Sequence, residues 1–245
     1  MVKKEESIAQ FVKQQIRKWE KGPVRKDGRP QPRITVITVS MEPGSGGSLI
    51  AQEVADRFGF DYFHRDIIKG IAKSAKIRAT VIETLEKERL SGIEDFIASL
   101  YRDQYLYPGI YMEHLLKVIN TIADHGRAVI VGRGTNFLIP PDERFSVRVV
   151  APLEMRIQNV ARAYNVSAEN ARKRVIARES RRAAFVRKSY NADISDPENY
   201  DLTINTARMP IETAVEVVVA AEDIAEAAAE ASASGAPTGV GTDPS

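Results

Sequence analysis

The spacing of apolar positions along the chain changes several times, and each change marks an element. Near the start, Ile8, Phe11, Val12, Ile16 and Trp19 fall at helical intervals, and the stripe ends at "KGPVRKDGRPQPR", whose prolines and glycines break structure. An N-terminal helix and linker are therefore expected over residues 1–32, with docking on the main domain, self-association or partner binding as the uses open to the helix. "RITVITVS" then runs almost unbroken and β-branched, the pattern of a strand buried on both faces of a sheet. Ile50, Val54 and Phe58 follow at i, i+4 spacing with Ala51 and Ala55 beside them, which predicts an amphipathic helix.

"FDYF" predicts a short second strand, and residues 79–125 read as helical and richly charged, interrupted at "LYPGIY". "RAVIVG", "FSVRVVAP" and "YDLTINT" predict three more strands, and helices are expected over 153–163, 168–188 and 210–222. Strands alternating with helices imply an α/β fold: a parallel sheet covered on both faces, joined by right-handed crossovers, with its ligand site at the carboxyl ends of the strands. From residue 223 the composition shifts to Ala and then to Gly, Ser, Pro and Thr, which predicts a disordered tail over 223–245.

At 245 residues, 43% hydrophobic and 28% charged, the chain has the composition of one globular domain with appendages. Thirty-five Lys and Arg against 33 Asp and Glu leave a net charge of only +2, so nothing global calls for a polyanion, and nucleic acid is the weaker alternative for the basic clusters. The absence of cysteine excludes disulfides, iron–sulfur clusters and cysteine-based zinc sites, while His64, His114 and His125 lack metal-ligand spacing. The charged start has no apolar core of a secretory signal, and no run approaches the ~18 apolar residues of a membrane span, so a cytoplasmic location is expected.

Four stretches carry candidate chemistry. The first strand leads into Met41, Glu42, Pro43, Gly44, Ser45, Gly46, Gly47 and Ser48. Against the phosphate-loop pattern G-x-x-x-x-G-K-[ST], Gly46 and Ser48 match, whereas Met41 replaces the first glycine and Gly47 the lysine. Small residues still allow consecutive backbone N–H groups to turn inward at a helix N-terminus, which predicts phosphate binding at Gly44, Ser45, Gly46, Gly47 and Ser48, with the Ser48 hydroxyl placed to ligate Mg²⁺. In "AVIVGRGTNF", Arg133 leaves the end of a buried strand between two glycines, where a guanidinium can grip a phosphate with two donors. "NARKRVIARESRRAAFVRKSY" places Arg174, Arg178, Arg181 and Arg182 at i, i+4, i+7 and i+8 on one helix face, able to close over a triphosphate and stabilise charge on a transferred group. In "FHRDII", Arg65 and Asp66 follow the second strand, either as part of an acceptor site or as a helix cap with its ion pair. Glu42 and Asp66 are the carboxylates considered for supporting Mg²⁺.

"GSGGSLIA", "FHRDII", "VGRG", "RESRR" and "YDLTINT", in this order, resemble the nucleoside monophosphate kinases, most closely the cytidylate kinase-like branch of that P-loop group. The resemblance covers about residues 33–222. It implies a P-loop NTPase three-layer sandwich with a five-stranded parallel core, a helical acceptor-binding insert over about 66–125 and an arginine-rich lid over about 168–192. By the same resemblance Arg133, Arg65 and Asp66 take the acceptor, Arg178, Arg181 and Arg182 are the catalytic lid arginines, and Asn205 and Thr206 lie near the adenine of ATP. Two departures stand in the phosphate loop, at Met41 and Gly47, and "VGRG" replaces the Asp-Gly-Arg-Asp of true cytidylate kinases, putting Val131 and Gly134 where carboxylates would be. The function expected is ATP- and Mg²⁺-dependent phosphorylation of CMP or dCMP, with one of Arg178, Arg181 and Arg182 replacing the lost lysine. A nucleotide-binding regulator without turnover, and a small-molecule kinase with a non-nucleotide acceptor, stay open beside it.

Overall fold

The structure, a computed structural model, describes residues 36–64 and 108–233. The expected N-terminal helix, Arg65, Asp66 and the first part of the insert lie outside the described residues. Five strands form: β1 (Val36–Met41), β2 (Asp61–Phe63), β3 (Ala128–Val131), β4 (Arg144–Val150) and β5 (Leu202–Asn205). Helices α1 (Gly47–Phe58), α2 (Pro108–His125), α3 (Leu153–Tyr164), α4 (Ala168–Tyr190) and α5 (Ile211–Ala233) lie between and after them. The strands make one five-stranded sheet in the order β2-β3-β1-β4-β5, every neighbouring pair parallel.

Both faces of that sheet are covered, as continuous apolar strands require. Period-two alternation sends Val36, Ala128 and Ile130 to one side, where they pack with Leu115, Val118, Ile119 and Ile122 of α2. Ile37, Val39, Val129 and Val131 go to the other side, onto Ile50 and Val54 of α1 and Val215 and Val218 of α5. Thr38 and Ser146, register partners in the centre of the sheet, satisfy one another through a 2.9 Å hydroxyl bond, which removes the penalty of burying both.

α4 has two anchorages. Its N-terminal half packs Ala171 and Val175 on Ile157 and Val160 of α3, and its C-terminal half inserts Phe185 and Val186 into the cluster under β1 and β3. The helix starts at Ser167, whose hydroxyl accepts the Asn170 N–H, and stops at Asn191 in the left-handed region. Its middle, which carries the arginines, is thus suspended across the carboxyl ends of the strands. α5 continues to Ala233, beyond the boundary expected at 222, because the Ala-rich run after Ala220 is a strong helix former as well as a composition shift.

Candidate functional site

The Met41–Ser48 loop leaves the end of β1 in the middle of the sheet and delivers the chain into α1. Gly44 and Gly46 both adopt φ 85°, the left-handed region, so the backbone doubles back at the helix N-terminus. Everything behind this loop is fastened. Thr206 Oγ1 donates to the Ser45 carbonyl at 2.8 Å, and Asn159 Nδ2 donates to the Gly44 carbonyl at 2.9 Å. The Glu42 carboxylate accepts the Ala151 N–H at 3.0 Å and lies 3.2 Å from Arg156 Nε. Arg156, buried, also reaches the Ala151 carbonyl at 2.8 Å and pairs with Glu179 of α4 at 3.2 Å.

In front of the loop opens a cavity of about 1010 Å³, and Ser48, Arg133, Arg178, Arg181 and Arg182 all line it. Residues separated by as many as 134 positions in the chain, Ser48 to Arg182, therefore share one space. α4 bridges the two loops that frame it. Arg182 Nη1 donates to the Met41 carbonyl at 2.5 Å, and at the far end Tyr190 donates its hydroxyl to the Arg133 carbonyl at 2.8 Å while stacking on Phe137. Gly134 lies directly against the Tyr190 ring, where an added Cβ would come within 2.3 Å of Cε2, so the "VGRG" loop can take the aromatic clamp only with glycine there. Arg178 rests on the face of Tyr164, 5.5 Å from its centroid, and Arg174 packs on the same ring at 5.8 Å, outside the cavity lining.

The remaining expected residues take other places. Gly44, Ser45, Gly46 and Gly47 form the loop itself but are not among the residues that line the cavity, which the loop borders through Met41 and Ser48. Thr206 is buried beneath it, acting through Ser45, and the Asn205 side chain turns to the Ala207 N–H at 3.0 Å on the exposed end of β5. Arg65 and Asp66 lie outside the described residues, although His64 just before them lines the cavity. Glu42 points away from the cavity into its bonds with Ala151 and Arg156. Ser48 Oγ is turned to the Met41 thioether at 3.3 Å, a weak acceptor that a metal or phosphate oxygen would readily displace. Among the described residues no group of three or more His, Cys, Asp or Glu could hold a metal ion. Nor is any helix among the described residues long and apolar enough to cross a membrane.

Two contributors are not obvious from motifs. Tyr62 lines the cavity and reaches towards the Ser48 carbonyl, and burial pushes its phenol above the usual tyrosine range. Arg148 is buried in β4, donates to Ser40 Oγ at 2.8 Å and packs over Tyr200 at 5.7 Å, setting a positive charge one layer under the cavity wall. An arginine inside the buried, mostly apolar "FSVRVV" is the signal that would have found it.

Comparison with known proteins agrees with this architecture. The cytidylate kinase of Ignicoccus hospitalis is 27% identical over 186 residues, covering 76% of this chain and 97% of that protein. The cytidylate kinase of Desulfurococcus amylolyticus is 29% identical over 188 residues, covering 76% and 92%. A solved structure of an uncharacterised protein from Eubacterium ventriosum superposes with a TM-score of 0.59 at 17% identity, covering 77% of this chain and 98% of that one, a likeness of fold alone. Residues 36–208, from the first strand to just past the fifth, match the cytidylate kinase-like family, and with its P-loop α/β sandwich the chain belongs to that family.

Proposed function

We propose that the protein is an ATP-dependent nucleoside monophosphate kinase that moves the γ-phosphoryl group of ATP to CMP or dCMP. Family membership supplies the class, phosphoryl transfer, and the relatives named cytidylate kinase suggest the acceptor. The observation that carries the reading is the convergence of Ser48, Arg133, Arg178, Arg181 and Arg182 on one cavity between a phosphate-type loop and an arginine-bearing helix.

In this reading a phosphate oxygen of the acceptor attacks the γ-phosphorus. One P–O bond forms as the bond to the β,γ-bridging oxygen breaks, and that electron pair stays on the β-phosphate of ADP. The attacking oxygen is already ionised at neutral pH, so no protein base is needed. Catalysis reduces to alignment and neutralisation of charge. The N–H groups of Gly44 to Ser48 cradle the donor phosphates, Arg133 orients the acceptor phosphate, and Arg178 and Arg181 stabilise charge on the oxygens of the group in flight. Asn205 is the residue at the adenine side, whereas Thr206 acts through the loop it fastens. Mg²⁺, when bound with ATP at Ser48, neutralises charge on the phosphate oxygens. α4 acts as the lid that excludes water.

The test is phosphoryl transfer from Mg-ATP to CMP, dCMP, UMP, AMP and GMP, with every nucleotide product resolved. CDP or dCDP as the main product is expected, and transfer to none of the five would overturn the reading. One observation favours a nucleotide-binding regulator instead: the Glu42 carboxylate is committed to Ala151 and Arg156 rather than to a metal. Titrating ATP with and without Mg²⁺ separates the two, since a regulator of that kind binds equally in both.

A further inference from the structure

The two departures of the phosphate loop, Met41 and Gly47, are one departure. A Cβ built on Gly47 would stand 2.6 Å from Met41 Cβ and 3.1 Å from Val149 Cβ. Cβ atoms are fixed by the backbone and cannot swing aside, so side chains at 41 and 47 exclude one another in this loop. With a side chain at 41, this loop cannot carry its own lysine.

The same residue organises what stands in the lysine's place. The Met41 thioether accepts the Ser48 hydroxyl at 3.3 Å, and the Met41 carbonyl accepts Arg182 Nη1 at 2.5 Å. Arg182 also lines the cavity beside Ser48. A guanidinium has five N–H donors in a planar fork, so one nitrogen anchored on a carbonyl is compatible with another gripping a phosphate oxygen. Arg178 is placed differently, resting on Tyr164 and bonding its hydroxyl at 3.5 Å. Arg182 is carried by α4, whose two halves are held by separate apolar clusters.

We propose that Arg182 is the cation of the phosphate loop, a catalytic residue that contacts the β- and γ-phosphates of ATP from α4, and that Met41 and Gly47 together make the loop dependent on it. This rests on the reading of the loop as an ATP site. It has a consequence for order: the charge arrives with the helix, so ATP affinity and the position of α4 are coupled, unlike a loop whose lysine is always present.

The test uses the full-length protein and two readouts, ATP affinity by calorimetry and phosphoryl transfer to the preferred acceptor. Arg182→Ala should weaken ATP binding at least tenfold and lower turnover by about 10²- to 10³-fold, the range for losing one preorganised donor at a developing charge. Its circular dichroism and thermal midpoint should stay near those of the unsubstituted protein. The lysine should be restorable only with room made for it: Met41→Gly/Gly47→Lys on the Arg182→Ala background should recover at least tenfold in affinity, and Gly47→Lys alone should not. ATP affinity of Arg182→Ala within twofold of the unsubstituted protein overturns the proposal, as does failure of the unsubstituted protein to bind ATP at all. The two readings fail separately. Binding without transfer removes the kinase and leaves Arg182 to be judged on affinity, whereas transfer that survives Arg182→Ala removes Arg182 and leaves the kinase.

Discussion

The back and the front of the Met41–Ser48 loop are built on opposite plans. Behind it, Arg156 is 6% exposed in its side chain and engages a carbonyl and two carboxylates, while Thr206 and Asn159 hold the loop carbonyls. In front, Arg178 rests on an aromatic face and a long hydroxyl bond, and Arg182 donates to a loop carbonyl. An arginine closed in by carboxylates is spent on architecture, because its charge is neutralised where it stands. An arginine that lines a cavity can turn its field on an anion that enters there. The contrast separates arginines that a count along the sequence treats alike.

Substitutions on the two sides should therefore separate stability from turnover. The largest loss of stability belongs to Arg156→Ala, which leaves Glu42 facing the protein without its cation; about 3–5 kcal/mol is expected from urea unfolding, the range for breaking a buried pair on one side. A loss under about 1 kcal/mol would erase the distinction between back and front. Arg133→Ala should act on the other quantity, raising KM for the acceptor by about 10²-fold, as loss of a charge-assisted phosphate contact of ~2–3 kcal/mol implies, with KM for ATP little changed. Equal effects on both substrates in steady-state kinetics would move Arg133 off the acceptor side. Thr206→Val removes the hydroxyl that donates to Ser45 and leaves a buried carbonyl unsatisfied. A loss of about 1–3 kcal/mol is expected, with ATP affinity reduced because the loop it fastens loosens.

The smallest effect concerns pH. Burial raises the Tyr62 phenol, with the hydrogen bond involving Ser48 opposing that shift. A phenol whose pKa is higher folded than unfolded contributes stability that is fully present below about pH 10, the unfolded value, and is lost as pH rises through the folded one. The difference in thermal midpoint between the unsubstituted protein and Tyr62→Phe should therefore be flat from neutrality to about pH 9.5 and move towards lower stability of the tyrosine form above it. A constant difference to pH 11 would show the phenol ionising alike in both states.

Several elements were legible because their causes are local. "RITVITVS" reads as a buried strand from its β-branched run, and β1 is buried from Val36 to Val39. Ile50 and Val54 announce the inner face of α1 by spacing alone, and both are fully buried. Ser48 could be singled out by the phosphate-loop pattern, Arg133 because it leaves a strand end, and Arg178, Arg181 and Arg182 by their helical spacing, and all five border one cavity. α5 runs on to Ala233 rather than ending at 222, because an Ala-rich stretch satisfies two descriptions, a composition change and a good helix, and the second applies up to Ala233.

The sequence by itself determined the succession of strands and helices, the parallel class of the sheet and the carboxyl edge of the strands where a cavity opens. These follow from periodicity, propensity and the direction of crossovers, all properties of neighbouring residues. Tertiary structure alone decided the order β2-β3-β1-β4-β5, the capture of Glu42 by Arg156, the clamp of Tyr190 on Arg133 and the reach of Arg182 to Met41. It also turned two apparent losses, a glycine and a lysine, into a single steric exchange between Met41 and Gly47. Each of these depends on where atoms far apart in the chain come to lie within a few ångströms, a distance that no local pattern encodes.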